Sequence, residues 1–235
     1  MTTAVNQLPG TIPALLARRA AATPDKPFIV DGAITLSYKE TQDQAAALAA
    51  WLLSQGCLFE DRVAIWAPNC HQWIVAALAA QTVGATVVTL NTRYKGAEAA
   101  DILRRSGSRF LFSVEQFLDV NYPTLIEPYD LPDLVSTVTL TVHSQSDHFA
   151  QVVEKGRGIL STEPGNETLT AASAHVTPST ISDILFTSGT TGQAKGVGSG
   201  HPAAVRNLRG LRHTGGARGK NVHRSRAGQY AAGIG

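Results

Sequence analysis

The densest group of residues able to do chemistry is Ile184-Leu185-Phe186-Thr187-Ser188-Gly189-Thr190-Thr191-Gly192-Gln193-Ala194-Lys195-Gly196-Val197. Three apolar residues end a buried strand, and a loop of hydroxyls, glycines and one lysine follows. Such a loop suits phosphate. Glycines Gly189, Gly192 and Gly196 admit φ > 0 and let backbone N–H groups approach an anion. Thr187, Ser188, Thr190 and Thr191 add hydroxyl donors, and Lys195 adds a mobile positive charge.

The loop is not a Walker A motif, which needs a glycine directly before the lysine and Ser or Thr after it. Here Lys195 follows Ala194 and precedes Gly196. The stretch resembles the signature loop of the adenylate-forming superfamily, the acyl-CoA synthetases and their relatives: Thr/Ser-Ser-Gly-Thr/Ser-Thr-Gly-any-Pro-Lys-Gly. Only Ala194 departs, standing where proline is usual. The loop loses some stiffness there and no phosphate ligand. The run Asp61-Arg62-Val63-Ala64-Ile65-Trp66-Ala67-Pro68-Asn69 is similar to the superfamily's opening strand. Gly84-Ala85 with Leu90-Asn91-Thr92-Arg93-Tyr94 is similar to its next strand and turn, and the text is close to that of actinobacterial fatty-acid and steroid-acid ligases.

The resemblance implies a two-step reaction. A carboxylate attacks the α-phosphate of ATP to give acyl-adenylate and pyrophosphate, and coenzyme A then displaces AMP to give a thioester. Bringing two anions together requires positive charge and N–H donors at the phosphates. Thr187–Gly196 would supply part of that, with Lys195 on the β/γ-phosphates and Mg²⁺ assisting. Two other readings stay open: a ligase that loads a carrier protein, and a non-catalytic nucleotide-binding remnant. The family's adenine pocket, acidic metal ligand, acid pocket and C-terminal lysine find no counterpart after residue 197. No catalytic residue and no metal ligand is therefore assigned, and the chain is expected to be a truncated, inactive ligase.

The elements that must hold the loop are legible by pattern. Thr11 to Ala22 reads as a helix stopped before Pro24. Phe28–Val30 and Ile34–Leu36 flank Asp31-Gly32, a hairpin signal. Ser37 and Glu40 form a capping box before a helix ending near Gln55-Gly56. Val63–Trp66, Thr86–Leu90 and Phe110–Phe112 read as strands. Helices lie between them: one capped by Asn69 and running to Val83, the other from Gly96 to Ser106. This alternation predicts an α/β fold, a parallel sheet with flanking helices, as the partial N-terminal domain of the adenylate-forming fold. No turn carries a dinucleotide-type glycine fingerprint. Pro123–Pro132 reads as a connection, Leu134–Val142 as a strand, Asp147–Gly156 as a short helix and Glu163–Pro178 as a polar surface stretch.

The 235 residues carry a net charge of +2, unevenly spread. Residues 1–197 are net −5, whereas 198–235 are net +7 with six arginines, nine glycines and no acidic residue. The expected division is 1–197, the N-terminal part of an AMP-binding domain, and 198–235, a disordered Gly/Arg-rich tail. His201 stands where the family often has histidine, and Pro202-Ala203 departs from the usual Arg-Gln. One base inserted into CAC-CGG-CAG gives CAC-CCG-GCA, His-Pro-Ala, so the tail is expected to be read out of frame to an early stop. Tyr230 is its lone aromatic, so nucleic-acid binding is not expected.

Other candidates carry less. Cys57 and Cys70 are too few for a disulfide scaffold or a zinc site and fit a reducing cytoplasm. Cys70 and His71 are adjacent but point apart on a helix, which opposes a nucleophile–base pair. His143, His148 and His175 lack metal spacing. Arg104-Arg105 reads as a solvated helix end, Asp183 as either a brace for the loop or a solvated cap, and Trp51, Trp66 and Trp73 as core. No signal peptide and no membrane span is expected.

Overall fold

Val63, Ala64, Ile65 and Trp66 are each fully buried, because they form the middle strand of a sheet covered on both faces. The computed structural model describes residues 10–141, 147–188 and 194–205. In chain order these form α1 (Ile12–Ala22), β1 (Pro27–Asp31), β2 (Ile34–Ser37), α2 (Tyr38–Ser54), β3 (Arg62–Trp66), α3 (His71–Thr82), β4 (Thr86–Thr89) and α4 (Gly96–Ser106). Then come β5 (Ser108–Val114), β6 (Gln116–Phe117), β7 (Val120–Asn121), α5 (Tyr122–Ile126), β8 (Ser136–Leu140), α6 (His148–Leu160), α7 (Glu163–Ala174), β9 (Ile181–Ser188) and β10 (Ala194–Gly200). Residues 201–205 are helical.

The main sheet has the order β10-β9-β4-β3-β5-β8. Every neighbouring pair is parallel except β10–β9. This is the expected α/β architecture, with helices in the crossovers that parallel pairing demands. β1–β2 and β6–β7 form separate two-stranded hairpins.

Local chemistry sets most boundaries. Thr11 caps α1. Ser37 and Glu40 form the capping box of α2 through Glu40 N–H to Ser37 Oγ at 3.2 Å and Ser37 N–H to Glu40 Oε2 at 2.7 Å. Gly56 and Gly84 take φ of 79° and 76° just past α2 and α3.

Three expectations are corrected. The cap of α3 is Cys70, not Asn69: its sulfur accepts from Trp73 N–H at 3.4 Å, and Asp31 of the hairpin accepts from His71 N–H at 2.9 Å. A carboxylate at that helix N-terminus is favoured by the dipole. The polar stretch from Glu163 is the helix α7, capped by Thr162, with Pro164 in its first turn. The connection after Asn121 contains the short helix α5.

Candidate phosphate-binding site

Thr187 and Lys195 are directly opposed on the antiparallel pair β9–β10. Ser188 faces Ala194, Phe186 faces Gly196 and Leu185 faces Val197. Opposed residues share a face of the sheet and successive ones alternate. Thr187 and Lys195 therefore share a face with Leu185 and Val197, while Phe186 and Gly196 lie on the other. Gly189, Thr190, Thr191 and Gly192, with Gln193, lie outside the described residues. The strands that deliver and receive the loop are described, and they put its one cation beside its first hydroxyl.

Among the described residues that face is uncovered at this end of the sheet. Along the aligned row Val138–Phe112–Ile65–Thr89–Leu185–Val197, the first three are buried, Leu185 is 43% exposed and Val197 54% exposed. Thr187 and Lys195 are exposed. Lys195 forms no ion pair with a described residue. Its ammonium is thus available to an anion.

Gly196 packs closely against its own sheet face. A Cβ there would stand 3.1 Å from Ile184 Cγ2 and 3.2 Å from Phe186 Cζ. Asp183 is inside β9 opposite Ser199, where it accepts from Ser182 Oγ at 2.7 Å. It is a strand residue at the far end from the loop, so it neither braces the loop nor caps an element.

The remaining candidates have structural roles. Cys70 is buried, and burial pushes its thiol up to about 11. His71 Nδ1 is held by Asp31 at 3.0 Å. His148 Nδ1 accepts from Thr139 N–H at 3.2 Å on the outer edge of β8. His175 is the C-cap of α7, and His143 lies outside the described residues. Among the described residues no group of three His, Cys, Asp or Glu could hold a metal. A depression of about 660 Å³ between α2, β8 and α6 is lined by residues such as Trp51, Ser136 and Lys155. It lies at the opposite edge of the sheet from β10.

Two residues near the loop escape the sequence reading. Tyr94 Oη donates to the Phe186 carbonyl at 3.3 Å. Arg105 lies over the Phe186 ring, 5.6 Å from its centroid; it is not simply a solvated helix end. Contacts across so long a separation leave no local pattern.

The described chain also passes the expected boundary at 197, since β10 runs to Gly200 and His201 and Val205 are buried. Residues 206–235 lie outside the described residues. No described helix is long and apolar enough to cross a membrane.

The model of the AMP-binding enzyme family matches residues 16–226. A 3-[(3aS,4S,7aS)-7a-methyl-1,5-dioxo-octahydro-1H-inden-4-yl]propanoyl:CoA ligase of Mycobacterium tuberculosis is 38% identical over 191 residues, which are 81% of this chain and 36% of that protein. The enzyme of the same name from Rhodococcus jostii is 35% identical over 203 residues, 86% of this chain and 39% of its own. The chain thus spans little more than a third of these relatives. In fold it is similar to a Mycobacterium tuberculosis fatty acyl CoA synthetase, with a TM-score of 0.69 at 20% identity, covering 87% of this chain and 37% of that one. The chain belongs to the AMP-binding enzyme family.

Proposed function

We propose that this chain supplies the ATP-phosphate grip of an acid–CoA ligase, with Thr187, Ser188, Gly189, Thr190, Thr191, Gly192, Lys195 and Gly196 forming it. The observation that carries this is the exposed Lys195, without an ion pair among the described residues and opposite Thr187 where β9 and β10 flank a hydroxyl- and glycine-rich sequence. The donor set fits a triphosphate: a lysine and hydroxyls, with no carboxylate facing Lys195 on the opposed strand. Mg²⁺ arriving with the nucleotide would neutralise further phosphate charge. In the whole ligase an acid attacks the α-phosphate, acyl-adenylate and pyrophosphate form, and coenzyme A takes the acyl group.

The acid class to test first is a bulky alicyclic propanoate, because both actinobacterial relatives are named for one. Medium-chain acids come second, since a relative from Macaca fascicularis is named a medium-chain acyl-CoA ligase. We assign this chain binding and not turnover. Titration of the chain with MgATP, alongside Lys195→Ala, tests the grip; equal affinity of the two forms overturns it. Pyrophosphate release from this chain with ATP, Mg²⁺ and these acids would overturn the assignment of binding alone.

We also propose that residues after His201 are read out of frame, which their net charge and glycine content support. Resequencing tests it. An adjacent frame without adenylate-forming motifs would remove it.

A further inference from the structure

Phe186 is the last large side chain of β9 before the loop, and it is held from several sides. Pairing with β4 ends at Thr89↔Leu185. The next carbonyl, that of Phe186, would leave the ladder unpaired on that side, and a backbone acceptor here needs a donor. Tyr94 Oη provides it at 3.3 Å. Burial pushes the Tyr94 hydroxyl pKa up, which keeps it a donor. On the ring, the Arg105 guanidinium stands 5.6 Å from the centroid and is itself oriented by Asp101 at 3.2 Å. Across the pair, Gly196 leaves the space that the ring fills. Phe186 is 8% exposed.

We infer that Tyr94 and Arg105, one just before α4 and one in its last turn, are positioning residues for the phosphate loop. They fix where β9 delivers the chain to residues 189–193. Through the register Phe186↔Gly196 and Thr187↔Lys195, they also fix where the Lys195 ammonium stands. The clamp lies on the face opposite Thr187 and Lys195, so it touches no ligand. It acts by denying β9 and β10 the freedom to slide or splay. This inference rests on the reading of the loop as a phosphate grip.

The test uses the full chain with Tyr94→Phe, Arg105→Gln, Lys195→Ala and the Tyr94→Phe/Lys195→Ala double variant. MgATP affinity and amide exchange at Thr187 and Lys195–Val197 are both read. Loss of one neutral hydrogen bond predicts about fivefold weaker MgATP binding in Tyr94→Phe. Arg105→Gln moves in the same direction. In the Lys195→Ala background, Tyr94→Phe should cost less than about twofold, because the group it positions is gone. Exchange at Thr187 and Lys195 should quicken in Tyr94→Phe without nucleotide, with the thermal midpoint little changed. The same affinity loss in both backgrounds, or unchanged exchange, overturns the positioning role. If the unsubstituted chain binds no MgATP, the phosphate reading falls, and the exchange result alone decides the clamp.

Discussion

Lys195 and Thr187 face one another across β9 and β10, at an end of the sheet where Leu185 and Val197 are left exposed among the described residues. An ammonium placed there meets no described carboxylate, which leaves it open to the proposed phosphate ligand. Removing it in Lys195→Ala should weaken MgATP binding by about ten- to a hundredfold, the range for a hydrogen bond to a charged group. Lys195→Arg should retain part of the affinity, since the charge survives while the shape of the donor changes. Equilibrium titration at fixed ionic strength measures both.

Two glycines in α6 make opposite predictions. A Cβ at Gly156 would lie 1.9 Å from the Ala47 carbonyl oxygen, where α6 crosses α2 backbone to backbone. Gly156→Ala should therefore force the helices apart and cost about 3 kcal/mol. At Gly158 nothing lies within 4 Å, and the residue is exposed in a helix. Gly158→Ala should stabilise by up to about 1 kcal/mol through helix propensity. Urea melts of the two variants and the parent decide both signs.

These glycines also mark what the sequence could and could not disclose. Ser37 and Glu40, three residues apart, announce the start of α2, and Gly84 announces the end of α3, because both signals are local. The start of α3 is set by the Cys70 sulfur together with Asp31, 40 residues from His71, so Asn69 misleads. α7 buries only Leu169, and a helix with one core residue shows no apolar stripe. β10 carries Gly196, Gly198 and Gly200, poor strand formers; its pairing with β9 overrides them. The proposed phosphate loop was legible in the sequence because its residue types are unusual together. Its supports, Tyr94 and Arg105, were not, because Tyr94 meets Phe186 across 92 positions of sequence.

The cysteines should be silent in the native protein. Both are free and buried. Burial pushes the Cys57 thiol up to about 12 and the Cys70 thiol up to about 11. Thiolate is the reactive form, so at pH 8 neither should react with a disulfide reagent on the timescale of a few minutes. In denaturing urea both should react at once. Rapid labelling of either in the native chain would contradict their placement, and for Cys70 also its role as the cap of α3.

His201 gives the chain a pH dependence whose direction is fixed by its surroundings. The side chain is fully buried. Its Nδ1 accepts the Ile12 N–H at 3.4 Å, tying the end of β10 to the start of α1. Nε2 then carries the proton and finds no acceptor among the described residues. Burial lowers its pKa from 6.5, and the carboxylate of Asp183 only partly opposes that. A second proton would have to displace the Ile12 bond and charge a dry site. Below about 6.5 the unfolded chain therefore binds more protons at this residue than the folded one, so stability falls as pH falls. Above that value the histidine is neutral in both states and imposes no penalty. Melting midpoints of the parent should drop between pH 7 and pH 5 more steeply than those of His201→Gln, which keeps an acceptor for Ile12 but cannot be charged. Parallel profiles for the two proteins would show that this histidine is not what acid attacks.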